Sequence, residues 1–387
     1  MLLLRNADIY APSPAGRADI LVAGGRIERI EPHVRIAESY GETFDADGLI
    51  AVPGFIDAHV HLTGGGGEGG YATRTPELLL SDAIRGGVTT VVGCLGTDGV
   101  TRSLAALLAK ARGLDAEGIS TFMYTGYYAV PVRTLTGSIE QDLLLIDKVI
   151  GVGEVALSDH RSTQPTFEEF ARIVAEARRG GILSGKAGVV NVHMGDGRRG
   201  LSFLRRLVEE TEIPATQVVP THINRNPTLF QEGIAYAKAG GLVDLTTSTV
   251  PAFLEEGEVP CSRGLCVMLE AGVDAGRITF TSDGQGSLPE FDAQGRLRGL
   301  QVGRVTSLFT GVRNAVVHEH VPLAVALQVV TTNPASILKL RGKGQLAAGA
   351  DADIVLLAAK TLEIQGVIAR GRWMMKDREA LVKGTFE

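Results

Sequence analysis

Between residues 55 and 283 the chain alternates short apolar runs with stretches whose apolar residues recur at helical spacing, the pattern of repeated strand–helix units. The runs that read as strands are Phe55–His61, Val88–Cys94, Thr121–Gly126, Val149–Val155, Val189–Met194, Gln217–His222, Leu242–Thr247 and Ile278–Asp283. Helix starts are marked locally. Thr75-Pro76-Glu77 predicts a cap followed by proline in the first turn. Thr166-Phe167-Glu168-Glu169 predicts a capping box ahead of Phe170, Ile173 and Val174.

The two chain ends have a different texture. Leu2–Tyr10, Asp19–Val22 and Arg26–Ile30 read as strands, with Gly24-Gly25 as a hairpin turn between the last two. Gly349–Leu357 and Ile364–Met375 end the chain in the same style. Neither segment can hold a core alone, so residues 1–52 and 341–387 are expected to pair into one small β domain. Residues 53–340 then form the main domain. Eight parallel strands over that length predict an α/β fold closed as a (β/α)8 TIM barrel rather than an open sheet.

Composition narrows the partners more than the fold. A chain of 387 residues with a formal charge of −6 and no basic cluster gives no reason to expect nucleic acid. The N-terminus is too short in apolar residues and too charged for a secretory leader, and no window approaches a membrane span. The cysteines, Cys94, Cys261 and Cys266, form no paired framework, and Cys261 and Cys266 lack the spacing of a structural zinc site. A cytoplasmic protein is expected.

Candidate chemistry lies at strand ends, where barrels of this type place their catalytic groups. His59 and His61 close the first predicted strand, and residues two apart on a strand face the same side. His193 ends the fifth strand, His222 the sixth and Asp283 the eighth. Four histidines and a carboxylate at one mouth suit one or two divalent ions, zinc above all. His33, His318 and His320 are read as structural, and His160 as a residue behind the ligands.

The run Pro53-Gly54-Phe55-Ile56-Asp57-Ala58-His59-Val60-His61 resembles the first barrel strand of the amidohydrolase superfamily. The following Gly64-Gly65-Gly66-Gly67-Glu68 resembles the isoaspartyl (β-aspartyl) dipeptidases within it. That resemblance, which extends over nearly the whole chain, implies a metallopeptidase that cleaves the β-aspartyl bond of dipeptides with a metal-bound hydroxide. It implies two zinc ions per subunit and a homo-oligomer, an octamer. Asp283 would bind metal and carry the proton, and Tyr128 would polarise the scissile carbonyl, with the adjacent Tyr127 left open for that role. Glu68 would take the substrate amine, Arg161 and Arg225 its carboxylates, and Thr97 and Ser287 further contacts. The sequence departs from the family at one place. Where the family carries a carboxylated lysine, Ser158-Asp159-His160-Arg161-Ser162 aligns Glu154, which is expected to bridge the metals instead; Lys148 and Lys186 lie at the wrong end of their strands. The alternatives are a cyclic amidohydrolase of the dihydroorotase or hydantoinase kind and an inactive oligomeric homologue.

Overall fold

The computed structural model describes residues 1–291 and 297–387. Its central feature is a curled parallel sheet of strands in chain order: Phe55–Val60, Val88–Gly93, Ser120–Thr125, Val149–Leu157, Val189–Met194 and Val218–Thr221. Val243–Thr246 and Ile278–Thr281 pair with each other in parallel. Ile223 N donates to Asp244 O at 3.2 Å beside the first of these, and His61 N donates to Gly284 O at 2.8 Å beside the second. All residues of the first six strands except Ser120 and Phe122 are buried, as expected where helices cover a parallel sheet.

The terminal segments share one sheet. Leu49–Pro53 lies between Leu2–Tyr10, which it pairs in parallel, and Ile354–Ala358, which it pairs antiparallel. Strands from both chain ends thereby join one nine-stranded sheet. The Gly24-Gly25 turn has φ of 55° and 79°, the left-handed pair that a tight hairpin requires and that glycine adopts freely. Among the described residues no helix is long and apolar enough to cross a membrane.

Local signals were read correctly at one helix and wrongly at another. Thr166 caps helix Phe167–Ser184 with the full reciprocal box, and Phe170 and Val174 on its inner face are fully buried. At Thr75 no helix begins. The helix starts at Leu80 after Leu79, with no side-chain cap. The Thr75 hydroxyl instead accepts from Gly65 N at 2.7 Å and donates to Gln285 O at 2.5 Å, so it is already committed to the glycine loop. A hairpin of Ser287–Phe291 and Leu297–Val302 also stands after the last core strand, where no strand was expected. Replacing Thr166 with Ala should cost about 1 kcal/mol, read as a lowered midpoint in urea unfolding followed by circular dichroism.

Candidate active site

The C-terminal ends of the core strands open into a cavity of roughly 640 Å³. His59 sits beneath its floor and is 0% exposed. The other expected site residues all line it: His61, Glu68, Thr97, Tyr128, Glu154, Arg161, His193, His222, Arg225, Asp283 and Ser287. Tyr127 instead packs over Gly99 and under Arg133, whereas Tyr128 lines the cavity.

Glu154 is the centre of the floor. Its Oε1 lies 2.7 Å from His193 Nδ1 and 3.3 Å from His222 Nε2, and its Oε2 lies 3.3 Å from His59 Nε2 and 3.6 Å from His61 Nε2. Burial alone would push this carboxyl up. The charge of His59 and hydrogen bonds with His193 and His222 outweigh it and hold Glu154 well below the usual range. Asp283 Oδ1 stands 3.0 Å from His61 Nε2. Against burial, His61, His222 and His59 bring Asp283 down to about 2. His222, by contrast, is pushed down to about 3 by burial and by neighbouring His193. Lys148 and Lys186 are elsewhere: Lys148 pairs with Asp115, and Lys186 donates to the Leu143 and Ile146 carbonyls.

The residues fit divalent metal. Both ring nitrogens of His59, Oε2 of Glu154 and Oδ1 of Asp283 are buried without a hydrogen-bond partner. A buried polar atom left unsatisfied costs about 1–3 kcal/mol, and three of these, His59 Nε2, Glu154 Oε2 and Asp283 Oδ1, come together on one floor, an arrangement that cations explain. His222 and Asp283 also hold left-handed backbone, with φ of 63° and 52°. This conformation is uncommon outside glycine and costs of order 1–3 kcal/mol where it persists; here it turns both side chains onto the floor.

The walls carry charge in pairs. Asp159 grips Arg161 with two oxygens, at 3.0 Å to Nε and 2.7 Å to Nη2, and also meets His193 Nε2 at 3.0 Å. Burial works against the Arg161 charge, but Tyr128, Asp159 and Glu68 overcome it and keep the guanidinium protonated. Glu68 accepts from Thr97 at 3.2 Å, from Ser287 at 3.0 Å and from Arg161 at 3.5 Å. Across the cavity Arg225 donates to Glu258 at 3.0 Å and lies over the Phe253 ring. The glycine loop that carries Glu68 is anchored from below by Arg102, which donates to the Gly65 and Thr75 carbonyls. Asp57, raised to about 7 by burial, accepts from Ser282 N at 3.1 Å and so ties the first strand to the Asp283 turn.

Three participants were not foreseen. Asp159 takes the place assigned to His160, whose side chain is 80% exposed. The chain turns at Ser158, φ 53°, and this sends Asp159 inward; its position inside the quoted Asp-His-Arg-Ser motif was the available signal. Glu258 is 4% exposed in a stretch that reads as a solvated acidic run, and no local signal marks it. Cys94, after the second core strand, places Sγ 3.8 Å from His61 Nδ1; its strand-end position was the clue.

Fold and site together define an α/β hydrolase with a curled parallel sheet and a residue cluster at its mouth that could bind metal. Residues 50–193 and 262–374 match the model of the Amidohydrolase family, and the chain belongs to that family. Within it, the likeness to β-aspartyl dipeptidases runs the whole length. The β-aspartyl dipeptidase of Fervidobacterium islandicum AW-1, solved in complex with β-Asp-Leu, is 48% identical, with a TM-score of 0.91 and 98% of each chain covered. A dihydroorotase of Solibacter usitatus is 25% identical over 92% of this chain and 88% of its own. A D-hydantoinase from Bacillus sp. AR9 shares the fold at 17% identity and a TM-score of 0.68, covering 99% of this chain and 97% of its own.

Asp159→Asn removes the charged brace on Arg161 while keeping its shape. Loss of a hydrogen bond to a charged group costs about 1.5–3 kcal/mol, so kcat/KM should fall by about tenfold to a hundredfold. Steady-state kinetics on the native substrate check this, with unchanged circular dichroism expected.

Proposed function

We propose that this protein is a metal-dependent dipeptidase that hydrolyses the β-aspartyl (isoaspartyl) amide bond of dipeptides. The observation that carries the reading is one cavity in which unpartnered metal-type donors face two acid-braced arginines and Glu68. It agrees with full-length similarity to an enzyme solved with β-Asp-Leu. The frame we infer is a closed (β/α)8 barrel over residues 53–340, with a small β-sandwich from 1–52 and 341–387. Three free cysteines fit a cytoplasmic enzyme. The exposed apolar Leu144, Leu145, Ile182 and Leu183 on neighbouring helices fit a homo-oligomer, which we take to be an octamer.

His59, His61, Glu154, His193, His222 and Asp283 would hold the metal. Imidazole with carboxylate suits zinc, and we infer two ions with Glu154 between them. When bound, such ions supply Lewis acidity and acidify a water. The chain's own groups do the rest. Arg161 and Arg225 receive the two substrate carboxylates through forked donors. Glu68, held by Thr97 and Ser287, receives the free α-amine. The Tyr128 hydroxyl donates to the scissile carbonyl oxygen. Asp283 accepts the water's proton as the water oxygen bonds to the carbonyl carbon. It then returns that proton to the amide nitrogen as the C–N bond breaks.

β-Asp-Leu should be cleaved, with α-Asp-Leu turned over at least about a hundredfold less well, because an isomer that leaves buried charges unpaired loses several kcal/mol. Arg225→Lys, lacking the fork, should lose most of kcat/KM. Chelation should abolish turnover. Better turnover of dihydroorotate than of β-Asp-Leu would move the assignment to the cyclic amidohydrolases, and no amide hydrolysis by metal-loaded protein would leave an inactive homologue.

Glu154→Gln keeps the shape and removes the anion. Metal analysis should show at least one ion fewer per chain, with most activity gone. Wild-type assembly should not depend on bicarbonate, whereas Glu154→Lys should regain activity when bicarbonate is added. A Glu154→Gln variant with a full metal complement and normal turnover would place the bridge elsewhere.

A further inference from the structure

Cys94 reaches the site and has no task in the mechanism above. It follows strand Val88–Gly93, is 0% exposed and stands 3.8 Å from His61 Nδ1. Its carbon side joins the apolar interior with Val92 and Tyr124, while its sulfur borders imidazole. His59, His61, Cys94 and Glu154 each offer one ligand atom to a group in which all four lie within 4.8 Å of one another. Glu154, His193 and His222 make a second such group. Glu154 is the member they share.

A tetrahedral ion with nitrogen, oxygen and sulfur ligands at about 2.0–2.3 Å separates its donors by roughly 3.3–3.8 Å, so small side-chain adjustments bring the first group to that spacing. The thiol does not stand alone as evidence. Both ring nitrogens of His59 and Oε2 of Glu154, from residues of the same group, are buried and have no hydrogen-bond partner.

We propose that Cys94 is a thiolate ligand to one of the metal ions, so that the two metal positions are chemically unequal. The first position would have His59, His61, Cys94 and Glu154 as donors, with Asp283 Oδ1, 3.0 Å from His61 Nε2, as a fifth, and would be coordinatively filled. The second has Glu154, His193 and His222, and leaves a place open for water or substrate. On ligation the S–H bond breaks, a sulfur–metal bond forms, and one proton leaves to solvent. Sulfur makes the first position selective for thiophilic ions such as zinc and cadmium. The inference rests on the metal-dependent reading of the site.

The test loads chelator-stripped protein with cadmium alone and records sulfur-to-metal charge-transfer absorption in the near ultraviolet, with metal counted per chain. Wild type should show the band, and Cys94→Ser should lack it. The double variant Cys261→Ser/Cys266→Ser, in which Cys94 is the remaining thiol, should keep it. With zinc, Cys94→Ser should release its more tightly held ion to chelator about tenfold faster or more, since even outer partners of a metal ligand are worth 10–100-fold in affinity. Should Cys94→Ser fail to fold, the double variant decides the question, because any band it shows must come from Cys94. Stoichiometric metal with no band in the double variant would overturn the ligand assignment and leave the metalloenzyme reading standing. No metal bound by wild type would overturn both.

Discussion

Glu154 places a carboxylate at the bottom of the cavity above a curled apolar sheet, 1% exposed and ringed by His59, His61, His193 and His222. Removing a carboxylate from water costs several kcal/mol even after relaxation, and the rest of the site follows from that cost. The four rings must come from three different strands or strand ends to surround it, and two of the residues that aim at the floor, His222 and Asp283, hold left-handed backbone to do so. Packed strands underneath keep these conformations in place. The carboxylate reaches this point from the middle of strand Val149–Leu157 rather than from its tip.

The walls follow the same electrostatic logic with a different result. Arg161 and Arg225 are each met by a buried acid, Asp159 and Glu258. An arginine so braced is preorganised, because little rotamer freedom remains to be lost when an anionic ligand binds it. The brace also lowers the net positive charge, so that discrimination comes from geometry more than from general attraction of anions. Glu68 extends the network by receiving Arg161 together with Thr97 and Ser287. A substrate ammonium at Glu68 would therefore adjust the group that reads its carboxylate, which couples recognition of the two ends.

The loop that carries Glu68 is held by contacts rather than by regular structure. Gly64 has φ of 78°, and a side chain there would meet Arg102 Nη1 and Pro76 O, both at 2.8 Å. Thr75, Arg102 and the Gln285 carbonyl fasten the loop to the turn after the last core strand. Glu68 and Asp283 are thereby held by two loops fastened to each other by hydrogen bonds.

What the sequence determined by itself was periodic or local. The two-residue repeat of a strand puts His59 and His61 on one side. The Thr166–Glu169 box starts its helix, the glycine pair makes its hairpin, and strand-end position marks His193, His222 and Asp283. Each depends on neighbours a few residues away, so each is legible along the chain. The tertiary structure alone decided the partners. Arg225 meets Glu258 33 residues on, His193 meets Glu154 across 39, and Arg161 meets Glu68 across 93. Thr75 was diverted from helix capping by a carbonyl 210 residues away. Asp159, Glu258 and Cys94 look like a turn acid, a surface acid and a core thiol until the fold brings Asp159 to the cavity wall, Glu258 to Arg225 and Cys94 to His61. Burial then sets their chemistry, because the same side chains in water would have neither the charge pairing nor the unfilled neighbours that define the site.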